Sequence, residues 1–375
     1  MTARASDAMI EERSPAPDTI QHAGLGGLQA VLLLSIVLLG AIARFWNLDW
    51  DAGAYTLHPD EWALSQVVRR LGPDLNPHFF FYGSFPIYLY RGTAEALSWL
   101  TGADWLDTSR VALIGRFYAA LCSTLMLPLV YLLGRRLWGV ASGLVAASLA
   151  AGAPLLIQAA HFGTVDTMIT LAGVAILWLT LRFVDGGGQG TLLATAVVLG
   201  LAIATKLTAA SFLVIPTLAY LMPAARPTRE PHLMPAARPT REPHLLLRSL
   251  RYLVFVAVCA LVTLVASPYY LFDWNGLRAA LVEQSQELSG GYTLIYTWQF
   301  IGTTPYAFEG NNLAIWGVGL ATGICGVAGW VLSIKHLLRR VDLLATLLLT
   351  LWPTLYFLYI GTWEARFVRH TLPLV

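Results

Sequence analysis

Five consecutive residues, His58-Pro59-Asp60-Glu61-Trp62, place two carboxylates side by side in the polar stretch behind the first apolar run. A carboxylate held at a membrane surface can act as general base on a hydroxyl group. Neighbouring helical residues point about 100° apart, so Asp60 and Glu61 cannot both do the same work. One would face a substrate and the other a supporting partner. The plainer reading stays open, because Pro59 suits a first helical turn and two acids there favour the helix dipole. Asp166, ending His161-Phe162-Gly163-Thr164-Val165-Asp166, opens a later apolar run, where an acid either lines a site or caps a helix. Lys206 interrupts a long apolar stretch; a lysine there either snorkels to water or meets an anionic headgroup. Near the C-terminal end, Glu364, Arg366, Arg369 and His370 form a cluster whose guanidinium forks either anchor lipid phosphates or clamp a phosphate ester.

Other chemistries find no support. Cys122, Cys259 and Cys325 each lie inside an apolar run, with neither a disulfide framework nor zinc-ligand spacing. Gly186-Gly187-Gly188 follows no strand and lacks the Lys-Ser/Thr ending of a phosphate loop, so it reads as a turn. H-E-x-x-H, G-x-S-x-G and Walker patterns are missing from the sequence.

The elements that must position these groups are membrane helices. The 375 residues are 57% hydrophobic and 12% charged, far from soluble usage, and mean hydropathy is +0.62. A soluble enzyme is excluded. Net charge is +2, and the arginines cluster between apolar runs, a pattern that bears on membrane orientation rather than on nucleic acid. Runs at 28–45, 111–133, 138–158, 167–184, 250–268, 313–334 and 341–360 are each long enough to cross. Residues 191–221 would form one helix of roughly 46 Å, too long for a span, and are read as two short helices turning at Lys206. Residues 85–101 carry Arg91 and Glu95 four apart and are read as an amphipathic helix on the membrane surface.

The sequence thus predicts an all-α polytopic transmembrane bundle of about nine spans, with juxtamembrane amphipathic helices in a long first external loop. A cytoplasmic tail, 1–27, precedes a transmembrane domain, 28–375. Within that domain, 46–110 and 269–312 are external loops and 222–249 is a cytoplasmic linker. This orientation puts Arg135, Arg136, the arginines between 226 and 251, Lys335, Arg339 and Arg340 inside. In the linker MPAARPTREPHL, 222–233, recurs unchanged as 234–245, a duplication without a buried face. A cleaved signal peptide ending near Ala41-Ile42-Ala43 is the less favoured reading, since the preceding charged segment is long and mixed in sign. An apolar stretch begins at Leu372-Pro373-Leu374-Val375, and a further C-terminal membrane part is expected to be missing.

Several segments, in order, carry a family resemblance. They are HPDE, NPHFFFYGSFPIYLY (76–90), RFYAALCSTLMLPLVYLLGRRLWG (116–139), HFGTVDT, GLAIATKLTAASFLVIP (200–216), SPYYLFDW (267–274) and ARFVRHTLPLV. Together they resemble the GT-C glycosyltransferases. The likeness is strongest to the group of protein O-mannosyltransferases and aminoarabinose transferases, which take a sugar from a polyprenyl phosphate. The resemblance implies a hexosyl- or pentosyltransferase, with Asp60 as base and Glu61 beside it. It implies that Asp166 lines the site and that Lys206 with Arg366 or Arg369 lies near the lipid phosphate; His58 and His370 join the substrate-binding set. The implied partners are a polyprenyl-phosphate-linked sugar, a hydroxyl acceptor (protein, lipid or envelope glycan) and membrane lipids, without nucleic acid. The implied location is the bacterial inner membrane, with the active site on its extracytoplasmic face.

A Lys and Arg pair can stabilise the charge growing on a single leaving phosphate, so no metal or other cofactor is expected. The competing reading is a polytopic transporter or lipid flippase, which usually needs acids or histidine at the bilayer midplane.

Overall fold

The computed structural model describes residues 18–51, 58–222, 245–291, 295–339 and 342–375. The duplicated linker, apart from its ends, and most of the N-terminal tail lie outside the described residues. Arg340 lies outside them as well.

The chain runs α1 (Asp18–Phe45), α2 (Pro59–Arg70), α3 (Ser84–Thr101), α4 (Thr108–Trp138), α5 (Val140–Gly152), α6 (Pro154–Ala160), α7 (Asp166–Arg182) and α8 (Gly188–Thr205). It continues through α9 (Val214–Leu221), α10 (Leu245–Ala266), α11 (Tyr269–Phe272), α12 (Trp274–Leu288), α13 (Ala307–Asn312), α14 (Leu320–Leu338) and α15 (Leu343–Ile360). Short 3₁₀ turns cover Leu207–Leu213, Ile295–Phe300 and Val368–Leu374. The described residues contain no strand, as the all-α reading requires.

Among the described residues six helical stretches are long and apolar enough to cross a membrane, or seven if the bent pair α5–α6 is one span. That is fewer than the nine or so expected. Part of the difference is physical. One of the six, Asp166–Thr205, has 40 residues and as a straight helix would extend about 60 Å. Yet Lys206 Nζ, just past its end, lies 3.3 Å from Asp166 at its start. The stretch is therefore two antiparallel helices, α7 and α8, folded back through the left-handed Gly186 (φ 98°). The remainder is length, because the apolar segment Leu207–Leu221 is too short to qualify alone.

The run at 138–158, read as one span, is bent. Pro154 has no N–H and holds Ala153 extended (φ −65°, ψ 117°), so α5 and α6 meet at 55°. The break frees carbonyls at the end of α5, and Arg44 takes them. Its Nη2 donates to Ala150 O at 2.9 Å, its Nη1 to Ala151 O at 3.0 Å and its Nε to Ser123 Oγ at 2.7 Å. An arginine near the end of an apolar span is thereby buried with its donors satisfied, and α1 is built into the bundle rather than appended to it.

At Lys206 the backbone is extended (φ −155°, ψ 126°) and the chain reverses. α9 returns to the far end of α7, where Tyr220 stacks on Phe183 with ring centres 6.4 Å apart. The same far end holds Arg136, which donates to Asp185 at 2.6 and 2.7 Å. α4 and α7 form the centre of the bundle. Across their near ends, the buried Leu64, Val68, Ile87, Tyr90, Val111, Ile114 and Val165 seat α2 and α3. α3 is the helix read as lying on the membrane surface. It falls outside the crossing set and carries the expected Arg91–Glu95 pair at 2.5 Å.

Candidate active site

α2 begins at Pro59, which needs no hydrogen-bond acceptor in the first turn. Asp60 and Glu61 follow and diverge. Glu61 turns inward, 1% exposed, where Arg116 of α4 meets it through Nη2 at 2.7 Å and Nε at 2.9 Å. The Gly163 N–H donates to the same carboxylate at 2.5 Å. A Cβ on residue 163 would sit 3.1 Å from that carboxylate oxygen, so a side chain there would crowd the contact. Arg116 also holds Asp51 at 2.7 and 3.0 Å and the Leu48 carbonyl at 2.8 Å. Glu61 thus braces the helix and is not among the residues that line the cavity.

Asp60 points the other way, into a cavity of about 460 Å³. Its Oδ2 accepts from the Tyr82 hydroxyl at 2.9 Å and pairs with Arg369 Nη1 at 2.5 Å. Burial, and then the negative charge of Asp60, hold the Tyr82 hydroxyl well above its ordinary pKa, so it stays a donor. Tyr82 is fixed by its neighbour. Gly83 N–H donates to Thr205 O at 2.9 Å, and a Cβ on residue 83 would lie 1.9 Å from Ala204 O. Only glycine lets the first loop lie against the end of α8. That contact sets the Tyr82 ring 5.5 Å from Lys206 Nζ, which pairs with Asp166.

Asp60, Asp166, Lys206, Arg369 and His370, which are scattered along the sequence, therefore line one cavity. His370 is not a third cation. Burial first, then the charges of Arg369 and Lys206, push its pKa well below the ordinary imidazole value, and its ring packs edge-on to Trp363 at 4.9 Å.

Two more residues from the sequence reading sit elsewhere. Arg366 is 4% exposed, donates to the Trp363 and Thr303 carbonyls at 3.0 and 2.7 Å, and faces Glu309 at 3.3 Å. It fastens the C-terminal segment, and of the two candidate arginines Arg369 is the one that lines the cavity. His58 lies against Phe162 with ring centres 4.6 Å apart, outside the cavity wall. Burial above all lowers its pKa, so it too is no source of positive charge.

Sequence reasoning did not single out the aromatic walls Phe79, Phe81, Tyr82, Tyr296, Tyr356, Trp363 and Phe367, nor Glu287 on α12. It also passed over Arg116. A run of four aromatics, Phe79 to Tyr82, was the available signal for the walls. Among the described residues no three His, Cys, Asp or Glu side chains group closely enough to hold a metal ion.

Residues 108–237 match the family model of the dolichyl-phosphate-mannose-protein mannosyltransferases. ArnT from Cupriavidus metallidurans in its apo state superposes with a TM-score of 0.56 at 17% identity, over 94% of this chain and 58% of that one. The same enzyme bound to undecaprenyl phosphate gives 0.51 at 17% identity, with the same coverage. The Archaeoglobus fulgidus oligosaccharyltransferase in its apo form gives 0.54 at 14% identity, over 92% of this chain and 49% of that one. The fold is that of the GT-C glycosyltransferases. The GT-C resemblance carried by the sequence motifs thus extends to nearly the whole architecture, and the chain is an integral, multi-pass membrane protein. It spans 58% of the length of the ArnT chain it matches. No curated protein matches it in sequence.

Proposed function

We propose that the protein transfers a sugar from a polyprenyl-phosphate carrier to a hydroxyl acceptor. The observation that carries this reading is the cavity itself, in which Asp60 stands beside Arg369, with Lys206 on the other side of Tyr82. The undecaprenyl phosphate bound to the structurally similar ArnT supports the choice of carrier.

In the proposed reaction the acceptor oxygen attacks the anomeric carbon and gives its proton to the Asp60 carboxylate. The bond from that carbon to the phosphate oxygen breaks, and its electron pair leaves on the phosphate. An aligned general base contributes about 10² to 10⁴ in rate. Lys206 and Arg369 stabilise the charge that grows on the leaving phosphate, and with a single phosphate leaving no metal is required. The aromatic walls offer apolar faces to the sugar ring and keep water out.

Lys206→Met removes one of the two cations and is expected to lower kcat/KM for transfer from a polyprenyl-phosphate sugar about tenfold, the effect of one charge-assisted hydrogen bond. Purified protein that transfers no sugar from any polyprenyl-phosphate donor, yet binds a free solute tightly, would replace this reading with transport.

We propose that the site lies on the extracytoplasmic face of a bacterial inner membrane; the loop charges support the orientation. In a background with Cys122, Cys259 and Cys325 replaced by Ser, Trp62→Cys is expected to react with a membrane-impermeant thiol reagent in intact cells. Arg238→Cys is expected not to react. Labelling of residue 238 from outside would invert the orientation.

A further inference from the structure

We propose that Arg369 changes partners during turnover, leaving Asp60 for the donor phosphate, so that loading of the lipid carrier is what releases the base. The inference rests on the carrier reading above and adds an order of events to it.

Both cations in the cavity are already paired with acids, Lys206 with Asp166 at 3.3 Å and Arg369 with Asp60 at 2.5 Å. An entering phosphate therefore competes with carboxylates for positive charge. The Arg369 pair is the one that matters for the base. Asp60 Oδ2 receives both the Tyr82 hydroxyl and the guanidinium, which together fill the two lone-pair sites of that oxygen. Asp60 Oδ2 is thus held by the tyrosine and the arginine together.

Arg369 is also built to turn. Three residues away, Arg366 is tied to Trp363, Thr303 and Glu309, which holds the backbone of the segment in place. The Arg369 side chain has looser restraints. Its guanidinium lies 4.6 Å from the Phe367 ring centre, and among the described residues Asp60 is its one ion-pair partner. A guanidinium carries five N–H donors in a planar fork, so Arg369 can bridge to a phosphate oxygen before it releases the carboxylate. Donor binding then precedes acceptor deprotonation, and an enzyme without donor leaves the acceptor hydroxyl unactivated.

The test is equilibrium binding of undecaprenyl phosphate, without sugar, to the full chain in detergent. Asp60→Asn is expected to bind it about tenfold more tightly than wild type, because the competitor for Arg369 has lost its charge. Asp60→Glu, which keeps the charge, is expected to stay within about twofold and controls for disturbance of α2. Arg369→Gln is expected to bind more weakly, and adding Asp60→Asn to it should give no further gain. An Asp60→Asn affinity equal to wild type, or the same gain in the Arg369→Gln background, overturns the exchange while leaving the carrier reading intact. Folded wild-type protein that binds no undecaprenyl phosphate removes the carrier reading and the exchange together.

Discussion

Asp60→Asn is expected to lower turnover by at least about 10²-fold without weakening donor binding, because the amide keeps the shape of the side chain and loses its capacity to accept a proton. The geometry sharpens the contrast with Glu61. Asp60 faces the cavity and shares it with Arg369, Lys206 and Tyr82, whereas Glu61 is closed off by Arg116 and the Gly163 N–H. If Asp60 served only the dipole of α2, its amide would cost about 0.3 to 1 kcal/mol of stability and leave the folded fraction fully active. Sugar transfer normalised to folded protein separates the two. Near wild-type turnover would end the case for Asp60 as base and move it to Asp166, the other cavity carboxylate with a cation partner.

Arg116→Met should act on folding rather than on the chemical step. The guanidinium is fully buried and holds two buried carboxylates, Glu61 and Asp51, while its Cζ lies 5.1 Å from the Trp50 ring centre. Breaking a buried ion pair by removing one partner costs about 3 to 5 kcal/mol, because the remaining charge stays out of water without compensation. The expected result is a large fall in thermal stability in detergent and loss of folded protein from the membrane. Glu61→Gln keeps a hydrogen-bonding side chain and should cost less. Combining it with Arg116→Met should recover part of the loss, since one of the two stranded charges is gone. A melting temperature unchanged in Arg116→Met would show that α2 is held by its apolar face, Leu64 and Val68, and not by this network.

The two experiments probe one arrangement from opposite sides. The Arg116 network fixes the rotation of α2 about its axis. Adjacent residues diverge by about 100°, so the residue that buries inward determines where its neighbour points. Glu61 is the inward residue, and that is why Asp60 reaches the cavity.

The class of the fold was legible in the order of residues. Continuous apolar runs of helical spanning length, bounded by arginine clusters and with few charges inside them, point to helix, whose backbone satisfies its own hydrogen bonds in lipid. The break at Lys206 was legible too, since a helix of 31 residues with a charge at its centre neither fits a bilayer nor solvates the ammonium. Asp60, Asp166, Lys206 and Arg369 were visible as types, being charged groups next to apolar runs.

Which of them meet was settled by the packing of distant helices. Asp60 and Glu61 are indistinguishable as neighbours in a sequence, and only the position of Arg116 on α4 separates their surroundings. Arg366 and Arg369 are three apart and chemically identical; Glu309 and Thr303, more than fifty residues upstream, claim one and leave the other for the cavity. The bend at Pro154 was invisible in the hydropathy of 138–158, because a proline leaves a run apolar while it removes a hydrogen bond. A buried charge settles where its counter-charge is, and sequence spacing carries no information about that distance.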